Sequence, residues 1–455
     1  MPRMAGWPRT EELQLGKLET TARAASKQEI SQQEVGIESI KFLIFQELIS
    51  VISGNNSRMI QRHLASRIPG IAAGYPVVVI TGPRQAGKTT LAKSVFPDRP
   101  YVSLEDPLER ASFLADPRAW LARYPDGAIL DEIQRIPELP SWLQGIVDAD
   151  RRLGRWILTG SQQYMVMDRV TQSLAGRVAL LELLPFSHAE LMAAGVAPTD
   201  PAAAIWRGGY PPVHDRPVDP GRWLSDYIAT YLERDVRSLS GIRDLNRFAA
   251  FVRCCATLTG QQVNLARMAG ELGIDAKTAR GWLSILEAGY IVRLLPPHHA
   301  NLGKRIVKHP KLYFLDTGLA CRLLAISGPE ALRTHPAWGA LVETWIIGEA
   351  IKSRTGRGLP VGDLFWWRSH DGLEVDLVVE HGQLLFPIEV KSTTSPGPQD
   401  LANIRKLQSA GAGRVTAGGV VHLGTTEAMI DGVRLVPWNR LDSWLGSPHF
   451  PEMSP

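Results

Sequence analysis

The hydrophobic pattern of the chain changes character at Pro76. From there, short apolar runs alternate with stretches of helical spacing: PVVVI (76–80), YVSL (101–104), AILD (128–131), RWILT (155–159) and VALLELL (178–184). Runs this short and this apolar suit strands buried on both faces of a parallel sheet, with helices between them. They predict an α/β domain of about five strands over roughly 59–190. Upstream, Ile37, Ile40, Ile44, Leu48 and Val51 recur at helical spacing and predict an amphipathic helix. Residues 1–58 are read as an N-terminal extension: a helix packed on its own body or the product of too early a start codon is preferred to a helix that docks a partner. From Ala189 to about Leu295 the pattern is mainly helical, interrupted by the turn-rich GGYPPVHDRPVDPG (208–221). From Pro296 helices and strands mix again. The expected organisation is an extension (1–58), a sheet domain (59–190), a helical segment (191–300), a C-terminal domain (301–445) and a tail (446–455).

Composition narrows the class. Hydrophobic residues make up 44% and charged residues 21% of 455, as in an ordinary folded protein of about three domains. No run of ~18 uninterrupted apolar residues is present, so no membrane span is expected. The N-terminus lacks an apolar stretch behind a basic start, which argues against a secretory signal. The three cysteines, Cys254, Cys255 and Cys321, form no C-x-x-C pair and fit a reducing, cytoplasmic setting. A net charge of +4 at this length does not point to nucleic acid; the local distribution of charge has to.

The strongest chemical signal is Gly82-Pro83-Arg84-Gln85-Ala86-Gly87-Lys88-Thr89, followed by Thr90. It matches G-x-x-x-x-G-K-[ST] and lies between a predicted strand and a predicted helix. Backbone N–H groups of such a loop turn inward around phosphate oxygens. Lys88 reaches the β- and γ-phosphates of ATP, and the Thr89 hydroxyl ligates Mg²⁺. The partner element is Asp131-Glu132, 43 residues beyond Lys88 (131 − 88) and at the C-terminal end of an apolar strand. Asp131 is expected to hold Mg²⁺ through water, and Glu132 to act as general base on the attacking water. At the end of RWILT, Ser161 is the first candidate for sensing the γ-phosphate and Gln162 the second; a plain strand-end turn is the alternative. Arg177, in SLAGR, is a candidate arginine finger supplied in trans, or else a surface charge.

Two further constellations lie downstream. Asn264-LARMAGEL-Gly273 predicts a helix stopped by glycine. Asp275 then caps a second helix over 276–288, and the strand YIVRLL comes next. This is the order of a winged helix. Residues 261–311 hold eight Lys/Arg against three Asp/Glu, with Lys277, Thr278 and Arg280 on the second helix and Lys304, Arg305, Lys308 and Lys311 beyond it. Such a stripe suits phosphate contacts with DNA; a protein–protein adaptor with solvated charges is the competing reading. Further on, Asp376 in GLEVDLVV and Glu389 and Lys391 in IEVK sit on adjacent predicted strands, joined by a hairpin at His381-Gly382. Glu389 and Lys391 are two apart and share a face. With Glu343 from the helix AWGALVETWIIGEAIK, these acids form an expected Mg²⁺ site beside a lysine, suited to phosphodiester chemistry. The competing reading is alternating charge on a wet sheet face. His298, His299 and His309 lack acidic or thiol company at metal-ligand spacing. Asp316 in YFLDTG is read as a turn cap and Trp366-Trp367 as core.

GPRQAGKTTL, AILDE, LTGS, SLAGR, RGGYPP, YLERDV, KRIVKHPKLYFLDTGLA and EVDLVVE…IEVK occur in this order from about Met59 to Trp438. In this the chain resembles the prokaryotic AAA-type ATPases that carry a C-terminal domain of unknown function with a PD-(D/E)XK nuclease-like core. The resemblance implies an α/β fold in three parts: an AAA-like P-loop sheet sandwich, a helical and winged-helix segment, and an α+β PD-(D/E)XK nuclease-like domain. Lys88, Thr89, Asp131 and Glu132 match the family's nucleotide motifs, and Glu343, Asp376, Glu389 and Lys391 its nuclease-like positions. Residues 1–58 depart from the pattern, which usually starts near Met59. The expectation is an ATP- and Mg²⁺-dependent ATPase whose nucleotide state controls a C-terminal DNA- or protein-engaging module, in a homo-oligomer. The alternatives are a Mg²⁺-dependent nuclease gated by ATP and an ATP-binding regulator with little turnover.

Overall fold

In the first strand, alternate residues serve opposite cores. Val77 and Val79 join one apolar cluster with Leu130, Trp156 and Leu158, whereas Val78 and Ile80 join another with Ile129 and Ile157. That is the two-residue period of a sheet covered on both faces. The computed structural model describes residues 59–161, 170, 172–232, 244–298, 309–369, 372–411, 413–447 and 450. The helix expected over 37–51, Gln162, His299, Lys304, Arg305 and Lys308 lie outside the described residues. The chain divides into two units, 1–59 and 60–455, and every described residue except Met59 belongs to the second.

The first sheet has strands β1 (Val77–Thr81), β2 (Tyr101–Ser103), β3 (Ile129–Asp131), β4 (Trp156–Gly160) and β5 (Val178–Glu182), within a residue or two of the expected runs. Its order is β2-β3-β4-β1-β5, all parallel. Because β4 lies between β1 and β3, its C-terminal end falls between the loop after β1 and Asp131. Helix α1 (Lys88–Val95) follows β1, and α2 (Leu139–Ala149) precedes β4.

The helical stretch contains α3 (Leu245–Thr257), α4 (Leu265–Leu272) and α5 (Ala276–Ala288). The caps are as expected. The Asn264 side chain accepts from Arg267 N, Gly273 ends α4 in the left-handed region at φ 63°, and the Asp275 side chain accepts from Thr278 N. Beside these helices lie β6 (Gln261–Gln262), β7 (Val292–Leu295) and β8 (Lys311–Phe314), an antiparallel sheet in the order β6-β8-β7.

The C-terminal region has α6 (Trp338–Gly356), then β9 (Leu364–Arg368), β10 (Glu374–His381), β11 (Leu384–Lys391), α7 (Ala402–Ala410) and β12 (Gly419–His422), in the expected order. Two strands not among the expected elements come next, β13 (Ala428–Ile430) and β14 (Val433–Pro437), joined by Asp431-Gly432 with φ values of 50° and 81°. The mixed sheet runs β13-β14-β12-β11-β10-β9. One apolar core takes residues from the helical stretch and from this sheet alike, Phe251 and Trp282 with Trp366 and Ile388.

A clasp ties the turn-rich segment at 208–209 to the segment after β8. Asp316 caps a helix (Thr317–Leu323) rather than a turn, accepting from Leu319 N at 3.1 Å, and also accepts from Gly209 N at 2.7 Å. Gly208 has φ 69°, and a β-carbon there would lie 2.3 Å from Asp316 Oδ1. This explains the paired glycines of RGGYPP: the loop's backbone presses onto a buried carboxylate.

Candidate nucleotide site and a second acidic centre

The loop after β1 needs glycine for a steric reason. Gly82 has φ 149°, and a β-carbon on it would sit 2.0 Å from the Leu183 carbonyl oxygen. Gly87, at φ 92°, opens α1. Lys88 is buried, and its Nζ donates to the carbonyls of Gly82 (3.0 Å) and Pro83 (2.8 Å). Burial lowers its pKa to about 8, an effect that Glu132 and Asp131 only partly offset. Arg62 braces the loop from behind, donating to Ala86 O at 2.8 Å, Leu184 O at 2.5 Å and Glu190 Oε1 at 3.1 Å.

Asp131 gathers hydroxyls. Thr89 Oγ1 lies 3.0 and 3.1 Å from its two oxygens, Tyr101 donates to Oδ2 at 2.9 Å, and Thr159 donates to Oδ1. Burial, with the Asp131 carboxylate beside it, pushes the Tyr101 phenol up to about 12, so it remains a donor. Glu132 has φ 58°, an unusual value for a residue with a side chain. Its carboxylate is held by Ser161 Oγ, 2.6 Å from Oε1, and by Gln134 on Oε2. Loop lysine, threonine, Asp131, Glu132 and Ser161 therefore come together. Arg177 does not join them: it makes a two-pronged pair with Asp148 of α2, at 2.6 and 3.0 Å. Arg62, Tyr101, Thr159 and Gln134 were not among the expected residues. Thr159 lies at the strand level of Asp131 and Tyr101 two residues below it on β2, relations visible only once the strand order is known.

The C-terminal acids lie beside two lysines. The register of β10 and β11 pairs Leu377 with Ile388, so Asp376 falls opposite Glu389. Lys391 Nζ is 2.8 Å from Glu389 Oε1, which also accepts from Asn403 at 3.0 Å; Asp376 Oδ2 accepts from Val390 N at 2.9 Å. Glu389 Oε2 is buried with no hydrogen-bond partner among the described residues. Glu343 faces Lys311 (2.8 Å) and Tyr313 (2.6 Å). Burial and the neighbouring Asp376 raise the pKa of Glu343 to about 7 and that of Glu389 to about 8. Lys311 also reaches Glu374 at 2.5 Å and Asp376 at 3.7 Å. Among the described residues no group of three or more His, Cys, Asp or Glu side chains is arranged to hold a metal ion. Glu343 and Asp376 gather around Lys311, and Glu389 pairs with Lys391.

Lys311 itself corrects the expected basic stripe. Only 3% of its side chain is exposed, because it points into this acidic centre. Arg267 is paired with Glu271 and Arg293 with Glu182, while Lys277 and Arg280 are exposed on α5. His298 has acidic company after all, with Nε2 3.7 Å from Glu380. Trp366 and Trp367 are core, as expected. No helix among the described residues is long and apolar enough to cross a membrane.

A parallel sheet with a phosphate-type loop after its first strand and an Asp-Glu pair at the end of a neighbouring strand defines an AAA-type ATPase domain. Residues 74–192 match the family described as AAA domain. Residues 199–330 match a domain of unknown function (DUF8612) and residues 338–441 another (DUF4143). The chain is 36% identical over 345 residues to the uncharacterized protein Rv2008c of Mycobacterium tuberculosis, covering 74% of this chain and 75% of that protein. The same figures hold for the uncharacterized protein Mb2031c of Mycobacterium bovis. The chain belongs to the family of these mycobacterial proteins, and in it an AAA-type ATPase domain precedes a C-terminal domain of unknown function. Among solved structures, the Walker-type ATPase PABY2304 of Pyrococcus abyssi is similar at 17% identity and a TM-score of 0.41, over 59% of this chain and 96% of that one.

Proposed function

We propose that this protein binds Mg²⁺–ATP in the loop 82–89 and hydrolyses it. The observation that carries the reading is the meeting of Thr89 with both oxygens of Asp131 beside buried Lys88. A hydroxyl and a carboxylate at this distance suit a hard cation that also takes phosphate oxygens. Mg²⁺, when bound, neutralises charge on the β- and γ-phosphates. Lys88 exchanges its two carbonyl acceptors for phosphate oxygens. Glu132 takes the proton of the attacking water, and Ser161 orients the Glu132 carboxylate. Arg177 acts on a neighbouring subunit's nucleotide only after leaving Asp148, which ties that role to a homo-oligomer. The test is phosphate release with and without single- and double-stranded DNA. Turnover that DNA stimulates supports a nucleic-acid partner; tight ATP binding without phosphate release makes the protein a nucleotide-binding regulator instead.

The helices α3–α5 with the sheet β6-β8-β7 support a winged-helix reading, and the order of α6, β9–β11, α7 and β12 supports a nuclease-like core. On this reading the nucleotide state controls a C-terminal module that engages DNA or protein. Exposed Lys277 and Arg280 are the described residues that favour phosphate contact. Their reversal to Glu weakens DNA binding and makes its salt dependence shallower if the module reads DNA.

A further inference from the structure

We infer that Lys311 is a tethered counter-cation that occupies the acidic centre of the C-terminal sheet and closes it to divalent metal. The inference is independent of the ATPase reading and rests on a disagreement between the metal that a nuclease-like core implies and the side chains this chain presents. Three acids come from two elements: Glu343 from α6, and Glu374 and Asp376 from β10. The ammonium comes from a third, the first residue of β8. Its Nζ is 2.5 Å from Glu374, 2.8 Å from Glu343 and 3.7 Å from Asp376, and its side chain is 3% exposed.

The arrangement is built rather than incidental. Tyr313, two residues along β8 and hence on the same face, donates to the Glu343 oxygen that Lys311 also uses, at 2.6 Å. Trp366 covers the ammonium, with its ring centre 5.6 Å away. Burial disfavours the Lys311 charge, but Glu343, Asp376 and Glu374 outweigh it, so the lysine stays protonated. On the far side of Asp376, Lys391 neutralises Glu389 at 2.8 Å. The three acids around Lys311 and the single Glu389 thus each have an internal cation.

Lysine and metal exclude one another here. A divalent cation takes carboxylate oxygens at about 2.1–2.4 Å, which places it against an ammonium that is itself within hydrogen-bond distance of the same oxygens. The ammonium supplies the charge of a cation but not its open coordination positions, so it cannot activate water. In this arrangement the C-terminal module engages its partner without metal-dependent phosphodiester cleavage.

The test uses the full chain without nucleotide, titrated with Mn²⁺ and followed by the paramagnetic resonance of the free ion. Wild type should show no Mn²⁺ uptake that Asp376→Asn removes, and should leave plasmid DNA intact in Mn²⁺. Lys311→Met should gain one equivalent of Mn²⁺, lost again in Lys311→Met with Asp376→Asn. Lys311→Gln, which keeps a donor, serves as the second variant should Lys311→Met not fold. Mn²⁺ uptake or nicking by wild type that Asp376→Asn abolishes overturns the inference, as does a folded Lys311 variant that gains no Mn²⁺. If neither variant folds, the wild-type arm decides alone: uptake sensitive to Asp376→Asn overturns, and its absence supports.

Discussion

Two of the buried lysines set beside carboxylates, Lys88 and Lys311, are held in opposite ways. Lys88 rests on two neutral carbonyls, at 3.0 and 2.8 Å, while the acids next to it are held by hydroxyls of Thr89, Tyr101, Thr159 and Ser161. Every one of those bonds can be exchanged for a phosphate or a metal without leaving a buried charge unpaired. Lys311 rests on carboxylates, and removing it leaves buried Glu343 and Asp376 without their ion pair to it, while Glu374 keeps Arg368 at 3.9 Å. A charge–charge contact buried from water is costly to break, whereas a charge–carbonyl contact is readily traded. The first lysine is placed to receive a ligand and the second to refuse one.

The largest effects should fall on the first site. Glu132→Gln keeps ATP binding but slows phosphate release about 100-fold or more, since an amide cannot accept the proton. Wild-type turnover in that variant would remove Glu132 from its role. Lys88→Ala abolishes ATP binding, read by fluorescent-nucleotide titration. At the second site, Lys311→Met without metal should cost roughly 3 kcal/mol or more of stability, because it leaves buried carboxylates without a counter-charge. Equal melting curves for wild type and variant would show that the acids have another counter-charge, and the contrast between the two lysines would collapse. A smaller loss, of about 2 kcal/mol, is expected for Gly208→Ala, whose backbone conformation suits glycine and whose β-carbon meets Asp316.

How far each site was legible in the sequence depends on how local it is. The nucleotide loop is eight consecutive residues with a strand before it and a helix after it, and Asp131-Glu132 end an apolar run. Tyr101 and Thr159 touch Asp131 only because β3 lies between β2 and β4, an order that no local pattern announces. Lys311 looked like one charge in a basic stripe, because spacing gives the sign of a side chain but not the sheet face it meets. Glu374 was within reach: it is two residues from Asp376 on one strand, and so on the same face. The β13–β14 hairpin was within reach too, through its Asp431-Gly432 turn.

The smallest effect separates the two lysines by proton linkage. In the free protein, burial holds the Lys88 pKa at about 8. Phosphate oxygens in place of the Gly82 and Pro83 carbonyls favour the charged form, so the pKa rises when ATP binds. Below pH 8 the lysine is already protonated, and binding takes up little. Above pH 8 the free protein has lost the proton and must regain it, so affinity falls as pH rises toward the pKa of the complex. Calorimetry of ATP binding at pH 8.5 in buffers of different ionisation enthalpy should therefore show net proton uptake, and Lys88→Arg should abolish that uptake, since a guanidinium stays charged. Lys311, kept charged by its acids, should contribute nothing, and Lys311→Gln should bind ATP with unchanged uptake. Uptake that persists in Lys88→Arg would assign the proton to another group and leave the exchangeability of Lys88 without its thermodynamic signature.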